Sequence, residues 1–137
     1  MFVQTLTTSF KLQLLQAVHD FSVDTFKIAL YTSNANLNAD TTVYTATGES
    51  SGTGYTAGGK TLTGTTVTAS GTTAYVDFSN VVWTPAAFTT RGALIYNASK
   101  GNKAVAVLDF GADKTPTTTF TVQMPVNAAT SALIRLP

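Results

Sequence analysis

The sequence predicts a mainly β fold, an antiparallel β-sandwich of jelly-roll or immunoglobulin-like type with one N-terminal α-helix. Threonine makes up about a fifth of the residues, and it favours half-buried pleated sheet over helix. After residue 24, apolar and polar side chains alternate along several short segments, which is the period of a strand with one buried face. Turn-forming residues separate these segments. We therefore expect about seven strands in a single domain over residues 1–137.

Only the N-terminal segment has a helical period. Its apolar residues recur three and four positions apart and would share one face of a helix. They are Phe10, Leu14, Leu15, Val18 and Phe21. Thr8 or Ser9 can cap the start of this helix. We expect residues 1–22 to form an arm and helix that closes one end of the β core, the alternative being an arm that binds a partner.

The strands are predicted from two patterns. Residues 26–31, 75–78 and 119–124 alternate, so each strand has one buried face, and Asp77 is expected to face solvent. Residues 92–96 and 104–110 are apolar at odd and even positions, which is typical of central strands covered on both faces. Residues 60–69, 81–83 and 131–136 are further strand candidates. Turns are expected at residues 69–72, 100–102 and 111–113.

Residues 33–59 form the one long segment without a regular period. It is rich in asparagine and glycine, which favour turns. Loops of this length are uncommon inside a compact domain and are often functional or flexible. We expect either a contact arm that becomes ordered on a neighbouring subunit or a poorly ordered surface excursion.

Composition and charge exclude several partners. The chain has eight Lys+Arg and seven Asp+Glu, spread along its length, so it lacks the basic patch of a nucleic-acid-binding protein. No stretch approaches the roughly 18 apolar residues of a membrane span, and the N-terminus does not have the pattern of a signal peptide. Cysteine is absent, which excludes disulfides and thiolate metal sites. We expect no nucleic acid and no membrane among the partners.

One motif matches a nucleotide-binding pattern. Residues 54–61 fit G-x-x-x-x-G-K-[ST], with Lys60 as the phosphate-binding lysine, and Asp109 ends an apolar run as a metal-binding aspartate would. That chemistry requires a strand before the loop and a helix after it. Here a glycine-rich segment precedes the motif and a threonine-rich, strand-like segment follows. We interpret the match as a glycine-rich loop.

Other catalytic arrangements find little support. His19 is the only histidine, stands on the predicted helix with no nucleophile motif nearby, and is expected to be exposed or to cap the helix. Asp109 and Asp113 flank Gly111, where aspartate commonly accepts hydrogen bonds from a turn. No Asp-x-Asp-x-Asp calcium loop occurs. We therefore predict a protein that is not an enzyme, with no catalytic residue, no cofactor and no metal site.

Trp83 is compatible with two interpretations. With the five tyrosines it could form a stacking platform for a glycan, which would make the chain an adhesion module. Beside Val81 and Val82, it more often belongs to a core.

The chain as a whole resembles a family of small tailed-phage virion proteins. The resemblance spans nearly the whole sequence in order, through six segments: residues 9–15, 24–31, 52–62, 81–83, 91–96 and 107–111. It implies a structural protein of the bacteriophage virion, made in the host cytoplasm. The first expectation is a capsid decoration or cement protein that bridges major capsid subunits. The alternative is a component of the tail or of the head–tail connection.

A cement protein acts through contacts with its neighbours. Cyclic homo-oligomers suit the local symmetry axes of a shell, and a trimer is expected. The apolar N-terminal segment and the long loop supply the candidate subunit contacts. These candidates are Phe2, Leu6, Phe10, Asn36, Tyr44 and Tyr55.

Overall fold

The computed structural model describes residues 1–137 and confirms the mainly β fold class, with 42% of residues in strands and 8% in helices. The strands are β1 (Thr5–Leu6), β2 (Phe26–Tyr31), β3 (Gly52–Thr53), β4 (Lys60–Thr61), β5 (Thr66–Ser70), β6 (Thr73–Asp77), β7 (Val81–Trp83), β8 (Ala87–Phe88), β9 (Thr90–Asn97), β10 (Lys103–Lys114), β11 (Phe120–Val122) and β12 (Ile134–Leu136). The helix α1 spans Thr8–Leu15, and a short 3₁₀ helix spans Ala98–Lys100.

Every strand pair is antiparallel. The main sheet has five strands in the order β1-β10-β9-β2-β4. Three smaller sheets, β12-β6-β5, β11-β7 and β3-β8, complete the fold in a sandwich-like arrangement. The apolar runs of β9 and of the first half of β10 are buried, as their sequence pattern predicts for central strands.

The two faces of the main sheet are covered by different parts of the chain. On the first face, Phe26, Ile28 and Ile95 belong to a large apolar core that also contains Phe10 of α1 and Trp83 of β7. The smaller sheets and α1 close this face. The second face presents a separate apolar cluster, which includes Ala29, Tyr31, Leu94, Tyr96 and Val107.

The N-terminal segment and the long loop cover the second face. Leu37 is fully buried there, and Phe2 packs against the same cluster and pairs with Leu37 as a parallel bridge. Further along the loop, the Ser50 N–H donates to the Leu30 carbonyl at 2.9 Å, so the loop also pairs with the edge of β2. Neither expectation for residues 33–59 is right: the loop is an ordered cover of its own sheet, because that face is too apolar to remain exposed.

The helix is shorter than predicted. Thr7, rather than Thr8 or Ser9, is its N-cap and accepts a hydrogen bond from the Phe10 N–H at 3.2 Å. Ala17 takes a left-handed backbone conformation with φ of 59°, which stops the helix before Val18. Phe21 lies outside the helix but still reaches the core, where its ring stacks on Phe26 with centroids 4.4 Å apart.

The structure has twelve strands where the sequence predicts about seven, and several boundaries differ, with residues 119–124 and 131–136 shortened to β11 and β12. Residues 60–69 form two short strands instead of one, because Gly64 has φ of +64° and packs so closely on Ser79 that a Cβ would overlap its hydroxyl oxygen. The turn expected at residues 111–113 is absent, since β10 continues to Lys114 with an irregular register against β9. Gly111, with φ of +82°, absorbs that irregularity within the strand.

Candidate interaction surface

The glycine-rich motif does not have the geometry of a phosphate-binding loop. Lys60 is the first residue of the two-residue strand β4, so no helix begins after the loop. The Lys60 Nζ donates to the Val82 carbonyl oxygen and stands 5.7 Å from the centroid of the Trp83 ring. The Lys60 side chain therefore contacts β7 of its own fold.

Four of the five tyrosines surround Glu49 and the loop segment beside it: Tyr31, Tyr44, Tyr55 and Tyr96. The Glu49 Oε1 accepts from the Tyr44 hydroxyl at 2.6 Å, and Oε2 accepts from the Tyr55 hydroxyl at 2.5 Å and from the Gly58 N–H at 2.8 Å. The Tyr96 hydroxyl donates to the Gly58 carbonyl at 2.6 Å. We call Tyr44, Glu49, Tyr55, Gly58 and Tyr96 the Glu49 cluster.

The Glu49 cluster ties the loop to the main sheet. The Tyr55 hydroxyl also accepts from the Leu30 N–H of β2 at 2.9 Å, so one side chain bridges the loop carboxylate and a central strand. Burial, reinforced by the nearby Glu49 carboxylate, raises the pKa of Tyr44, Tyr55 and Tyr96 above the ordinary value. All three hydroxyls therefore stay protonated and act as donors at neutral pH.

Asp77 and His19 are both buried, against the sequence expectations. Asp77 is 2% exposed, because residues 75–78 are all buried and both faces of β6 are therefore covered at this end. Its Oδ1 accepts from the Phe78 N–H at 2.9 Å, while Oδ2 has no partner, and burial raises the pKa of this carboxyl. His19 is 6% exposed and hydrogen-bonded on both ring nitrogens. The alternation rule fails at Asp77 because it assumes that one face of the strand is open to solvent.

Trp83 lies in the core. It is 1% exposed, and the rings of Tyr55 and Phe120 pack on it with centroids 6.5 Å and 6.0 Å away. Its indole has no free face on which a sugar could stack. The glycan-binding alternative therefore loses the residue on which it depended.

The six predicted contact residues do not form one surface. Phe10 is completely buried in the main core, so its side chain cannot touch a neighbour, and this candidate has to be withdrawn. Phe2 and Tyr44 pack against the second face, and Tyr55 belongs to the Glu49 cluster. Leu6 is partly buried on the edge of the first face, and Asn36 is exposed. Leu6 alone borders an open apolar surface.

That surface lies between α1 and the sheet β12-β6-β5. Leu15 is 88% exposed, and Val67 and Leu136 are each more than half exposed. Two hollows of about 390 Å³ and 160 Å³ lie among these residues and share Leu14, Ile134 and Leu136 as walls. We call this region, formed by Leu6, Leu14, Leu15, Val67, Ile134 and Leu136, the α1–β12 surface.

The α1–β12 surface is almost free of charge. Lys11 is the one charged residue that lines either hollow. Strand β12 is also an edge strand, since it pairs with β6 alone. Of the residues on this surface, sequence reasoning named only Leu6 as a contact, because it placed Leu14 and Leu15 on the core-facing side of α1. The available signal was that Leu15 stands five residues after Phe10, which places it about 140° from Phe10 around a helix.

A second open cleft of about 470 Å³ lies between the second half of β10 and β11. Its apolar walls come from Leu108 and Phe110 of β10, Phe120 of β11, Met124 and Leu133, with Gln4 and Lys114 among its polar residues. The Phe110 and Phe120 rings meet edge to face with centroids 5.6 Å apart. This cleft is more polar than the α1–β12 surface, and its two leucines, Leu108 and Leu133, are only partly exposed.

Comparison of the chain with protein-family models, with curated proteins and with solved structures gave no match. No group of three or more His, Cys, Asp or Glu side chains is placed to hold a metal ion, and no helix is long and apolar enough to cross a membrane. The likeness to phage virion proteins therefore depends on the sequence segments alone.

Proposed function

We propose that this chain is a structural protein of a tailed-phage virion, a capsid decoration protein that bridges major capsid subunits as a homo-oligomer. The observation that carries the proposal is the α1–β12 surface, an open apolar area on a β body whose other sheet face is closed by its own loop. Exposed apolar patches of this kind are typical of protein–protein contact sites. The sequence resemblance supplies the virion as the setting.

The use of the ionisable side chains supports a role without catalysis. Glu49 accepts three hydrogen bonds within the fold, and Asp24 accepts from Lys100 and Asn97. Asp109 pairs with Arg91 at 3.2 Å. A general acid or base must instead reach a substrate from a cleft. These carboxylates serve structure, and the α1–β12 surface has no carboxylate in its walls.

The apolar surface also suits the mechanism of a cement protein. Burial of exposed leucines on assembly stabilises the assembled lattice, because the contact exists only in the bound state. The edge strand β12 adds unpaired backbone groups beside the same leucines, which favours a contact with extended chain or sheet. A free monomer gains nothing from keeping these groups uncovered.

The decisive experiment is to locate and count the chain in purified particles of the phage whose genome encodes it. Copy numbers on the order of hundreds, with density on the shell, are expected for a decoration protein. About six to twelve copies would move the chain to the tail or the head–tail connection. Absence from the particle would overturn the virion proposal.

A pair of variants tests the surface itself. The double substitution Leu15→Ser and Leu136→Ser should reduce incorporation into particles at least about tenfold, since it removes two exposed apolar side chains from the proposed contact. Val43→Ser is the control, because Val43 is 48% exposed, close to the 52% of Leu136, but lies on the loop, away from α1. Equal incorporation of both variants would show that the chain binds its neighbours elsewhere.

A further inference from the structure

His19 lies where the chain leaving α1 meets the end of β9. Its Nε2 is 2.9 Å from the Gln13 Oε1, and its Nδ1 is 3.0 Å from the Asn97 Nδ2. The rings of Phe10 and Phe26 flank the imidazole, with centroids 5.0 Å and 6.4 Å away. The imidazole therefore joins the helix to the main sheet inside a largely apolar pocket.

The amide of Asn97 fixes which nitrogen of His19 carries the proton. Asn97 is fully buried; its Oδ1 accepts from the Ser99 N–H at 3.0 Å, and its Nδ2 donates to the Asp24 Oδ2 at 2.8 Å. A flipped amide would place Oδ1 against the carboxylate and the NH₂ group against an N–H donor. Since Nδ2 must donate, the His19 Nδ1 has to accept. The proton is then on Nε2, which donates to Gln13.

A second proton on His19 would find no free hydrogen-bond acceptor, because other donors already occupy the nearby Asp24 carboxylate. Asp24 is occupied by Lys100, whose Nζ lies 2.9 Å and 3.0 Å from its two oxygens, and by the Asp20 N–H at 3.0 Å. Burial opposes ionisation of Asp24, but these hydrogen bonds and that of Asn97 outweigh it and lower the pKa to about 2. The positive charges of Lys100 and, from β10, Lys103 oppose the protonation of His19.

We propose that His19, Asn97, Asp24 and Gln13 form an acid-sensitive latch, which holds residues 16–24 on the main sheet at neutral pH and releases them when Nδ1 takes a proton. A proton on Nδ1 would point at the Asn97 NH₂ group, so two donors would face each other with no water between them. The imidazolium can find acceptors only by leaving the pocket. This inference does not depend on the virion proposal.

The release should be local. The bonds from the Thr25 N–H to the Ser99 Oγ and from the Ala98 N–H to the Thr25 carbonyl do not involve His19 and continue to hold the start of β2. The affected backbone bonds are those of the turn after α1, in which the Val18 N–H donates to the Gln13 carbonyl and the Asp24 N–H to the Asp20 carbonyl. The main sheet should remain closed.

The sign of the pH dependence follows from the burial of His19. Burial lowers its pKa in the closed state; Asp24 raises it by less, and Lys100 and Lys103 lower it further. In the open state the imidazole is exposed to water and has its ordinary pKa of 6.5. The latch is therefore fully stabilised above pH 6.5 and weakens as the pH falls below that value.

Hydrogen–deuterium exchange of the backbone amides tests the release. After correction for intrinsic rates, the amides of Gln16, Val18 and Asp24 should exchange up to about 30-fold faster at pH 5 than at pH 8, because the open state binds the additional proton. The amides of β9 should not change. His19→Gln is the matched variant: glutamine offers one donor and one acceptor but does not titrate, so its exchange should be independent of pH. Equal acceleration in both proteins, or none in either, would overturn the latch.

A measurement on the unsubstituted protein keeps the proposal testable if His19→Gln does not fold. His19 is the only histidine, so the ring nitrogen and carbon signals in an NMR titration are unambiguous. The expected result is the Nε2–H tautomer at pH 8 and a pKa below 6.5. An Nδ1–H tautomer, or a pKa at or above 6.5, would contradict the arrangement from which the latch is inferred.

Discussion

The two sides of this molecule are closed by different kinds of chemistry. The second face of the main sheet is covered by the long loop, which is fixed by the hydrogen bonds of the Glu49 cluster. On the opposite side, α1 and the sheet β12-β6-β5 meet across apolar side chains, and several leucines remain exposed. The directional bonds leave the loop one arrangement, whereas the apolar side has surface that only another chain could cover.

This contrast predicts that changes near the Glu49 cluster affect folding and that changes on the α1–β12 surface affect association. The two regions share no residue, so their effects on stability should be nearly additive.

The largest effect is expected for Gly59→Ala. Gly59 has φ of +79°, and a Cβ there would overlap the Ile28 carbonyl oxygen of β2. Because neither backbone can move without breaking the pairing of β2 with β4, we expect a loss of about 3 kcal/mol or more in the free energy of unfolding. Urea denaturation measures it.

Gly71→Ala is the control for that substitution. Gly71 has φ of +61° but open space around the Cβ position, so only backbone strain of about 1 kcal/mol is expected. If the two variants were equally stable, the loop would not be held as closely on β2 as the structure indicates.

A smaller loss is expected for Glu49→Gln. The amide retains the shape of the side chain but has a single oxygen. That oxygen can accept neutral hydrogen bonds from Tyr55 and Gly58, and the NH₂ group then takes the place of the oxygen that accepts from Tyr44. We expect the free energy of unfolding to fall by about 1–3 kcal/mol. Asp113→Asn, an exposed carboxylate with no hydrogen bond in the structure, should change it by less than about 0.5 kcal/mol. Thermal unfolding at pH 7 compares the two, and equal losses would mean that the Glu49 cluster contributes no net stability.

The smallest effect on stability is expected for Leu15→Ser. The side chain is almost fully exposed at the end of α1, so the free energy of unfolding of the monomer should change by about 0.5 kcal/mol or less. Sedimentation analysis should nevertheless show weaker self-association than in the unsubstituted protein if the α1–β12 surface joins subunits of the homo-oligomer. A large loss of stability would instead show that Leu15 belongs to the core.

The patterns that sequence reasoning handled well are those in which a local rule and the tertiary environment agree. Residues 26–31, 92–96 and 104–110 are strands of the main sheet, as predicted from their apolar residues. Their burial was predicted less well: β2 is buried on both faces instead of one, and β10 is buried only over residues 104–107. Trp83 beside Val81 is in the core, as the more common interpretation held. A short N-terminal helix is also present.

The candidate surface was harder to predict, because exposure depends on what the rest of the chain covers. Phe10 and Leu15 stand five residues apart in the same amphipathic pattern, yet one is completely buried and the other almost fully exposed. The helix ends at Leu15 and turns only Phe10 and part of Leu14 toward the core. A count of apolar spacing cannot determine where a helix stops.

The sequence by itself determined the mainly β class, the central strands and the presence of one helix, because these follow from periodicities and propensities of neighbouring residues. Only the tertiary structure decided that residues 33–59 close the second face, that His19 and Asp77 are buried, and that the leucines of α1 remain uncovered. These outcomes depend on contacts between residues far apart in the chain, such as His19 with Asn97 and Tyr55 with Leu30. No local pattern specifies such pairs, because each contact forms only when the fold brings the two residues into hydrogen-bond distance.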